Sequence, residues 1–499
     1  MTRVVTSAEV GSEAEAEPFL RARDGLVLER AVEPGRFEAV EGPIEDYRRS
    51  VELVPLDGGR RGVTQTLEYR LALPFVGWLF AWPVRRTLTR GVRRMPWWAP
   101  PQRVDARGAT ALALLATASV IGGYLTALLT ASIAFAGRDF GAGSAAQGVA
   151  GVVVRFGGAL ALVVAAAAAD RLGRRRVIVA GAAVACVVTA TGAVAPSLPW
   201  LTASQAVARP FALAVLICVA IAAAEEMPAG SRAYAVSALG LAGAFGAGIA
   251  SMLLPLADTA PWGWRLLYAA PLAAVPLVAS IGRRLPETRR FARPHPDAGL
   301  TGHGGRFWLL AASAVLVAMF ATPASFFANR YLLTEHGFSA AAITAFTLGS
   351  GTPGVIGVVI GGRLADTRGR RPVGAAALAV GTVCAAMVFL SSGPALWAWA
   401  VVGSVIGSAA LPALGVYGPE LFPTAARGRA GGLLALAGLT GSAAGLLAAG
   451  FAADALGRLG PAIAWLAIGP LIVVGLVLVR YPETARRSLE DLNPEDAGR

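Results

Sequence analysis

The sequence predicts an all-α membrane protein: twelve transmembrane helices in two pseudo-symmetric six-helix halves, preceded by a small cytoplasmic α+β extension. Three observations predict it. Hydrophobic residues are 55% of the 499 and charged residues only 15%, with a mean hydropathy of +0.60. A soluble chain could not hide that much apolar surface. From Gly108 onward, twelve apolar runs of roughly 20 residues succeed one another, each long enough to cross a bilayer. Short charged motifs closing these runs occur twice at one spacing. Asp170-Arg171-Leu172-Gly173-Arg174-Arg175 returns as Asp366-Thr367-Arg368-Gly369-Arg370-Arg371 after 196 residues. Glu225, Pro228 and Arg232 return as Glu420, Pro423 and Arg427 after 195, and Pro286-Glu287-Thr288 as Pro482-Glu483-Thr484 after 196. A pattern held in register over that span indicates two copies of one structural unit.

Residues 1–106 form the extension. From Met1 to Arg60 acids outnumber arginines 13 to 8, whereas from Arg61 to Val104 eight arginines face only Glu68. Ser50–Pro55 and Val63–Leu73 alternate polar and apolar residues around Asp57-Gly58-Gly59, which predicts a hairpin. An interfacial helix is expected at about 71–98, where Arg85, Arg86, Arg90, Arg93 and Arg94 stand among tryptophans and aliphatic groups. The first half spans 107–282, a central cytoplasmic loop 283–306, the second half 307–481 and a cytoplasmic tail 482–499. Arginine placement sets the orientation. Loops after even-numbered spans carry 17 arginines and loops after odd-numbered spans only Arg138, Arg265, Arg330 and Arg458. Both termini are therefore expected in the cytoplasm of a multi-pass protein of the inner (plasma) membrane.

The net charge of +13 comes entirely from arginine, since no lysine occurs among the 44 basic residues. Its clusters lie between apolar runs, which suits cytoplasmic loops and excludes nucleic acid as a partner. Cys186, Cys218 and Cys384 sit inside apolar runs and read as small core residues. His295, His303 and His336 match no ligand spacing, so no metal and no cofactor are expected. No nucleophile–base pair or phosphate-cradling loop lies in the spans, so the chain is not read as an enzyme.

These repeats resemble the major facilitator superfamily over about residues 108–490. Its loop between spans two and three reads G-x-L-A-D-x-x-G-R-R; Gly362–Arg371 is nearly complete, and Ala166–Arg175 keeps Asp170, Gly173, Arg174 and Arg175. Tyr417–Thr424 and the tail from Pro482 to Glu490 look like the sugar-porter and metabolite:proton-symporter branch. The resemblance implies a secondary active transporter working by alternating access, a monomer in the bilayer with a small-molecule substrate and a coupling proton. It also implies a cytoplasmic gating network of Asp170, Gly173, Arg174, Arg175, Glu225 and Arg232, matched by Asp366, Gly369, Arg370, Arg371, Glu420 and Arg427. Charge-assisted hydrogen bonds at helix ends would tie neighbouring helices and rearrange on opening.

Two arginines fall within spans. Arg209 lies about halfway along span four, with Gln205 one turn before it, and Arg155 about a third of the way into span two. A guanidinium inside a bilayer costs a few kcal/mol or more, so Arg209 is expected to face the bundle interior, while Arg155 either does the same or snorkels to the outer surface. No Asp or Glu lies in the middle of any span. An uncompensated Arg209, with Gln205, Tyr124 and Arg155, therefore favours an anionic organic metabolite. A sugar porter, a drug or metabolite exporter and a non-transporting membrane sensor remain as alternatives.

Overall fold

The computed structural model describes residues 1–56, 60–90, 95–96, 98–157, 173–228, 231–287, 304–422 and 424–485. Its N-terminal unit is one antiparallel sheet of β1 (Thr2–Val10), β2 (Leu28–Glu33), β3 (Arg36–Glu41), β4 (Ile44–Pro55) and β5 (Arg61–Leu71), in the order β1-β5-β4-β3-β2. Pro55 pairs with Arg61, so β4 and β5 form the hairpin that the alternation predicts. β5 buries Val63, Gln65, Leu67 and Tyr69, every second residue, as a half-covered strand must. Leu67 and Tyr69 share a cluster with Val84 and Leu88 of α2 (Gly77–Arg90), while Val63 joins Ala16 of α1 (Glu13–Leu20). The interfacial segment expected at about 71–98 thus holds a shorter helix. Inside this unit Glu29 and Arg49 pair at 2.5 Å with no side-chain exposure. Arg49 also donates to the carbonyls of Phe19 (2.7 Å) and Arg21 (2.8 Å), and Tyr47 donates to Glu29. Both charges of this pair are thus partnered, as such burial requires.

Among the described residues twelve longer helices follow: α3 (Ala106–Asp139), α4 (described over 144–157), α5 (Arg174–Val194), α6 (Leu198–Ala223), α7 (Tyr234–Asp258) and α8 (Arg265–Arg284) in the first half, then α9 (Gly304–Phe326), α10 (Ala340–Ala365), α11 (Arg370–Val388), α12 (Gly393–Leu414), α13 (Ala430–Leu456) and α14 (Leu459–Arg480) in the second. Apart from α4, described over 144–157, each is long and apolar enough to cross a membrane. The halves repeat their packing: α3 on α7 and α9 on α13, α5 on α6 and α11 on α12, α5 on α8 and α11 on α14. Glycine makes the first of these contacts possible. A Cβ at Gly246 would strike the Val120 carbonyl, and one at Gly445 the Met319 carbonyl, so backbones meet without side chains between them. The sixth and twelfth spans each carry a 3-10 turn, Ala270–Ala274 and Trp465–Ala467, another trace of the duplication.

The sheet unit is joined to the first half at its arginine-rich end. Thr110 donates to the Ala72 carbonyl (3.2 Å), Tyr234 to that of Trp98 (2.8 Å) and Ser231 to that of Gln102 (2.8 Å). The guanidinium of Arg284 lies over the Phe75 ring, 5.8 Å from its centroid.

Candidate functional site

Three layers of polar contacts cross the bundle. At its arginine-rich end, Gly173 and Gly369 precede α5 and α11 with φ of +91° and +106°, a conformation that favours glycine. The turn exposes the first N–H groups of each helix, and a glutamate from the repeated Pro-Glu-Thr motif takes them. Glu287 accepts from Arg175 N (3.2 Å); Glu483 accepts from Arg370 N (2.9 Å) and Arg371 N (3.1 Å). An anion at a helix N-terminus meets both free donors and a favourable dipole. Burial raises the Glu483 pKa, but the N–H groups of Ala485, Arg370 and Arg371 outweigh it and hold the carboxyl below its ordinary range. Beside these caps, Arg174 pairs with Glu225 at 3.3 Å and Arg370 with Glu420. Arg175 donates to the Gly282 carbonyl (2.6 Å) and Arg371 to that of Leu478. Each of these contacts stays within one half. Of the expected network, Asp170 falls outside the described residues, as do the side chains of Arg232, Asp366 and Arg427.

In the middle layer, Arg209 of α6 is half-buried and donates to the Thr126 carbonyl of α3 (3.0 Å). Arg155 of α4, also half-buried, donates to the Gly151 carbonyl (3.4 Å) and lies 5.1 Å from the centroid of the Phe326 ring, which belongs to the second half. The two guanidiniums are within electrostatic reach of each other, and among the described residues neither pairs with a carboxylate. One carbonyl leaves most of a five-donor guanidinium uncommitted. Gln205 is buried and donates to Ser204 (3.2 Å). Tyr124 is buried too, its hydroxyl donating to the Leu267 carbonyl of α8 (2.6 Å). The structure therefore places Arg155 and Arg209 within electrostatic reach of each other and engages Gln205 and Tyr124 with neighbouring protein groups.

The third layer, at the opposite end, was not singled out from the sequence. Asp454, in the last turn of α13, accepts from Ser144 N (2.8 Å) and Ala145 N (2.9 Å) at the start of α4. Asp258, at the end of α7, accepts from Ala340 N (2.8 Å) and Ala341 N (2.9 Å) at the start of α10. A carboxylate in the last turn faces the negative pole of its own helix. Here the N-terminus of a helix from the other half compensates it. Asn329 donates to the Ala131 carbonyl (2.8 Å), Arg330 to that of Ala142 (3.2 Å) and Thr344 to that of Ser251 (2.8 Å), all across the halves. The signal was present in the sequence, because Asp258 and Asp454 are 196 residues apart, as the charged motifs are.

The sequence profile of the Major Facilitator Superfamily matches residues 112–399 and 309–497. No curated protein matches the chain. Among solved structures, the xylose transporter XylE from E. coli in an inward-open conformation superposes with a TM-score of 0.62 at 16% identity, covering 77% of this chain and 98% of that one. A bacterial homolog of the human lysosomal transporter Spinster, inward-facing and unoccupied, gives 0.60 at 17% identity over 75% of this chain and 95% of its own. The nucleoside transporter NupG gives 0.61 at 11% identity over 74% and 100%. Two repeated six-helix halves, duplicated end motifs and a matching profile across both converge on one conclusion: the chain belongs to the Major Facilitator Superfamily, as a multi-pass membrane transporter and not an enzyme.

Proposed function

We propose that this transporter carries a small anionic organic metabolite, with its arginine-rich end in the cytoplasm. The observation that carries the substrate class is the pair Arg155 and Arg209: two half-buried guanidiniums within electrostatic reach of each other, neither paired with a carboxylate among the described residues. Like charges held inside a bilayer repel and lose hydration, and a substrate carboxylate would relieve both costs through bidentate contacts. The arginine-rich loops support the orientation. The opposite end, where the halves are joined, is then external, and the protein is closed outward and arranged to release inward. Proton symport is the proposed coupling; XylE, which shares the fold, is a proton:xylose symporter.

Uptake by purified protein in vesicles, screened against mono- and dicarboxylates, neutral sugars and nucleosides with and without a pH gradient, tests the whole reading. Carboxylate uptake that is lost in Arg209→Ala and weakened in Arg209→Lys is the expected result. Uptake of a neutral sugar unaffected by Arg209→Lys would overturn the anion assignment while leaving the transporter intact. A protein that binds ligand but moves none would favour the sensor.

A further inference from the structure

The N-terminal unit carries a largely exposed apolar and aromatic surface. Helix α2 turns Val84 and Leu88 onto the sheet and leaves Trp78 75% exposed, Trp82 66% and Leu79 55%, with Phe75 just before it at 39%. Farther along are the exposed Arg85, Arg86 and Arg90, and the Arg86 guanidinium lies 5.2 Å from the centroid of the Trp82 ring. Leu79, Phe80, Trp82, Pro83 and Trp98 wall an open groove that Arg86 and Arg90 border. Two tryptophans this exposed cost solvation in water, whereas their amphipathic rings suit the headgroup level of a bilayer.

We propose that this face of α2 rests on the anionic membrane surface at the arginine-rich end of the bundle, its tryptophans inserted among the headgroups and Arg85, Arg86 and Arg90 over lipid phosphates. Continuity with the bundle commits the surface to lipid. Ala72 is hydrogen-bonded to Thr110 in the first turns of α3, and Phe75 lies under Arg284 in the last turn of α8. Both anchors sit where spanning helices leave the bilayer. Trp78 follows Ala72 by six residues, a reach of at most ~20 Å even fully extended. The helix therefore starts in the interfacial zone, and its charge has the sign that an anionic leaflet attracts. A guanidinium stacked on an indole is also less hydrated, which eases its approach to phosphate.

The test uses the full chain reconstituted in vesicles of phosphatidylcholine alone or mixed with phosphatidylglycerol. An environment-sensitive fluorophore is placed at Trp82→Cys or, as a control on the sheet, at Val40→Cys, which is 59% exposed; the three native cysteines are buried. Lipids with a quencher high on the acyl chain should quench the Trp82 probe strongly in anionic vesicles and leave the Val40 probe unchanged. Each arginine near a charged leaflet contributes about fivefold to partitioning, so Arg85, Arg86 and Arg90 all changed to Gln should lower it about a hundredfold and bring quenching down toward the control. Equal quenching in neutral and anionic vesicles would overturn the role of anionic lipid. A Trp82 probe no more quenched than the Val40 probe, or one shielded only when two proteins associate, would overturn the membrane assignment altogether.

Discussion

Asp258 and Asp454 occupy equivalent places in the two halves, and each closes the N-terminus of a helix that belongs to the other half. The bundle is thereby fastened twice at one end, while at the arginine-rich end the described ion pairs remain within a half.

Removing a capping side chain costs about 1 kcal/mol, so Asp258→Ala with Asp454→Ala should disfavour the observed state by about 2 kcal/mol, roughly thirtyfold. Spin labels at Arg138→Cys and Arg458→Cys, exposed positions on opposite halves at that end, should show a longer distance gaining population. An unchanged distance distribution in the double variant would assign the closure to other contacts.

Arg209→Lys should raise KM for a carboxylate substrate about tenfold or more, because an ammonium cannot reproduce a bidentate contact. Arg155→Lys should act in the same direction. Equal KM values in wild type and both variants, measured by initial uptake rates, would remove the pair from the binding site.

Glu483 gives the arginine-rich end a pH dependence with a definite sign. Its carboxyl is held below the ordinary range in the folded protein. The stability it contributes is therefore complete above the unfolded value of about 4.3 and is lost as pH falls through the lower folded value. Glu483→Gln should cost roughly 1 kcal/mol at neutral pH and flatten the acid limb of the thermal-unfolding profile. A variant whose acid limb matches that of wild type would show that the cap does not set it.

In the sheet unit, Glu29→Gln leaves Arg49 buried beside a neutral partner, an arrangement that costs roughly 3–5 kcal/mol. Local unfolding of residues 1–105, with the bundle intact, is the expected outcome, read by hydrogen exchange. Burial and the Glu29 carboxylate push the Tyr47 hydroxyl above its ordinary range, so it stays a donor at any working pH. Unchanged protection at Leu67 in Glu29→Gln would show that the pair does not hold the sheet.

The fold was legible because its signals are repetitive: apolar runs, arginine loops and motifs at one offset each report it independently. The β4–β5 hairpin was legible from alternation around Asp57-Gly58-Gly59, whereas β1, α1, β2 and β3, all shorter, gave no such pattern. At the candidate site, Arg155 and Arg209 stood out since charge inside an apolar run is conspicuous. Tyr124 did not reveal its partner, because a hydroxyl says nothing of which carbonyl it will meet. Asp258 and Asp454 escaped for a different reason: they sit just past the apolar runs, where an acid looks like ordinary loop solvation. Only the partner helix, supplied by tertiary structure, gives them a task.

The sheet unit is fastened through Thr110, Ser231, Tyr234 and Arg284, all residues of the first half. Rocking of one half against the other would then carry this unit along with the first half, and an α2 seated on lipid would resist that swing. A symmetric engine would then carry an asymmetric brake, and the composition of one leaflet would set how fast it turns over.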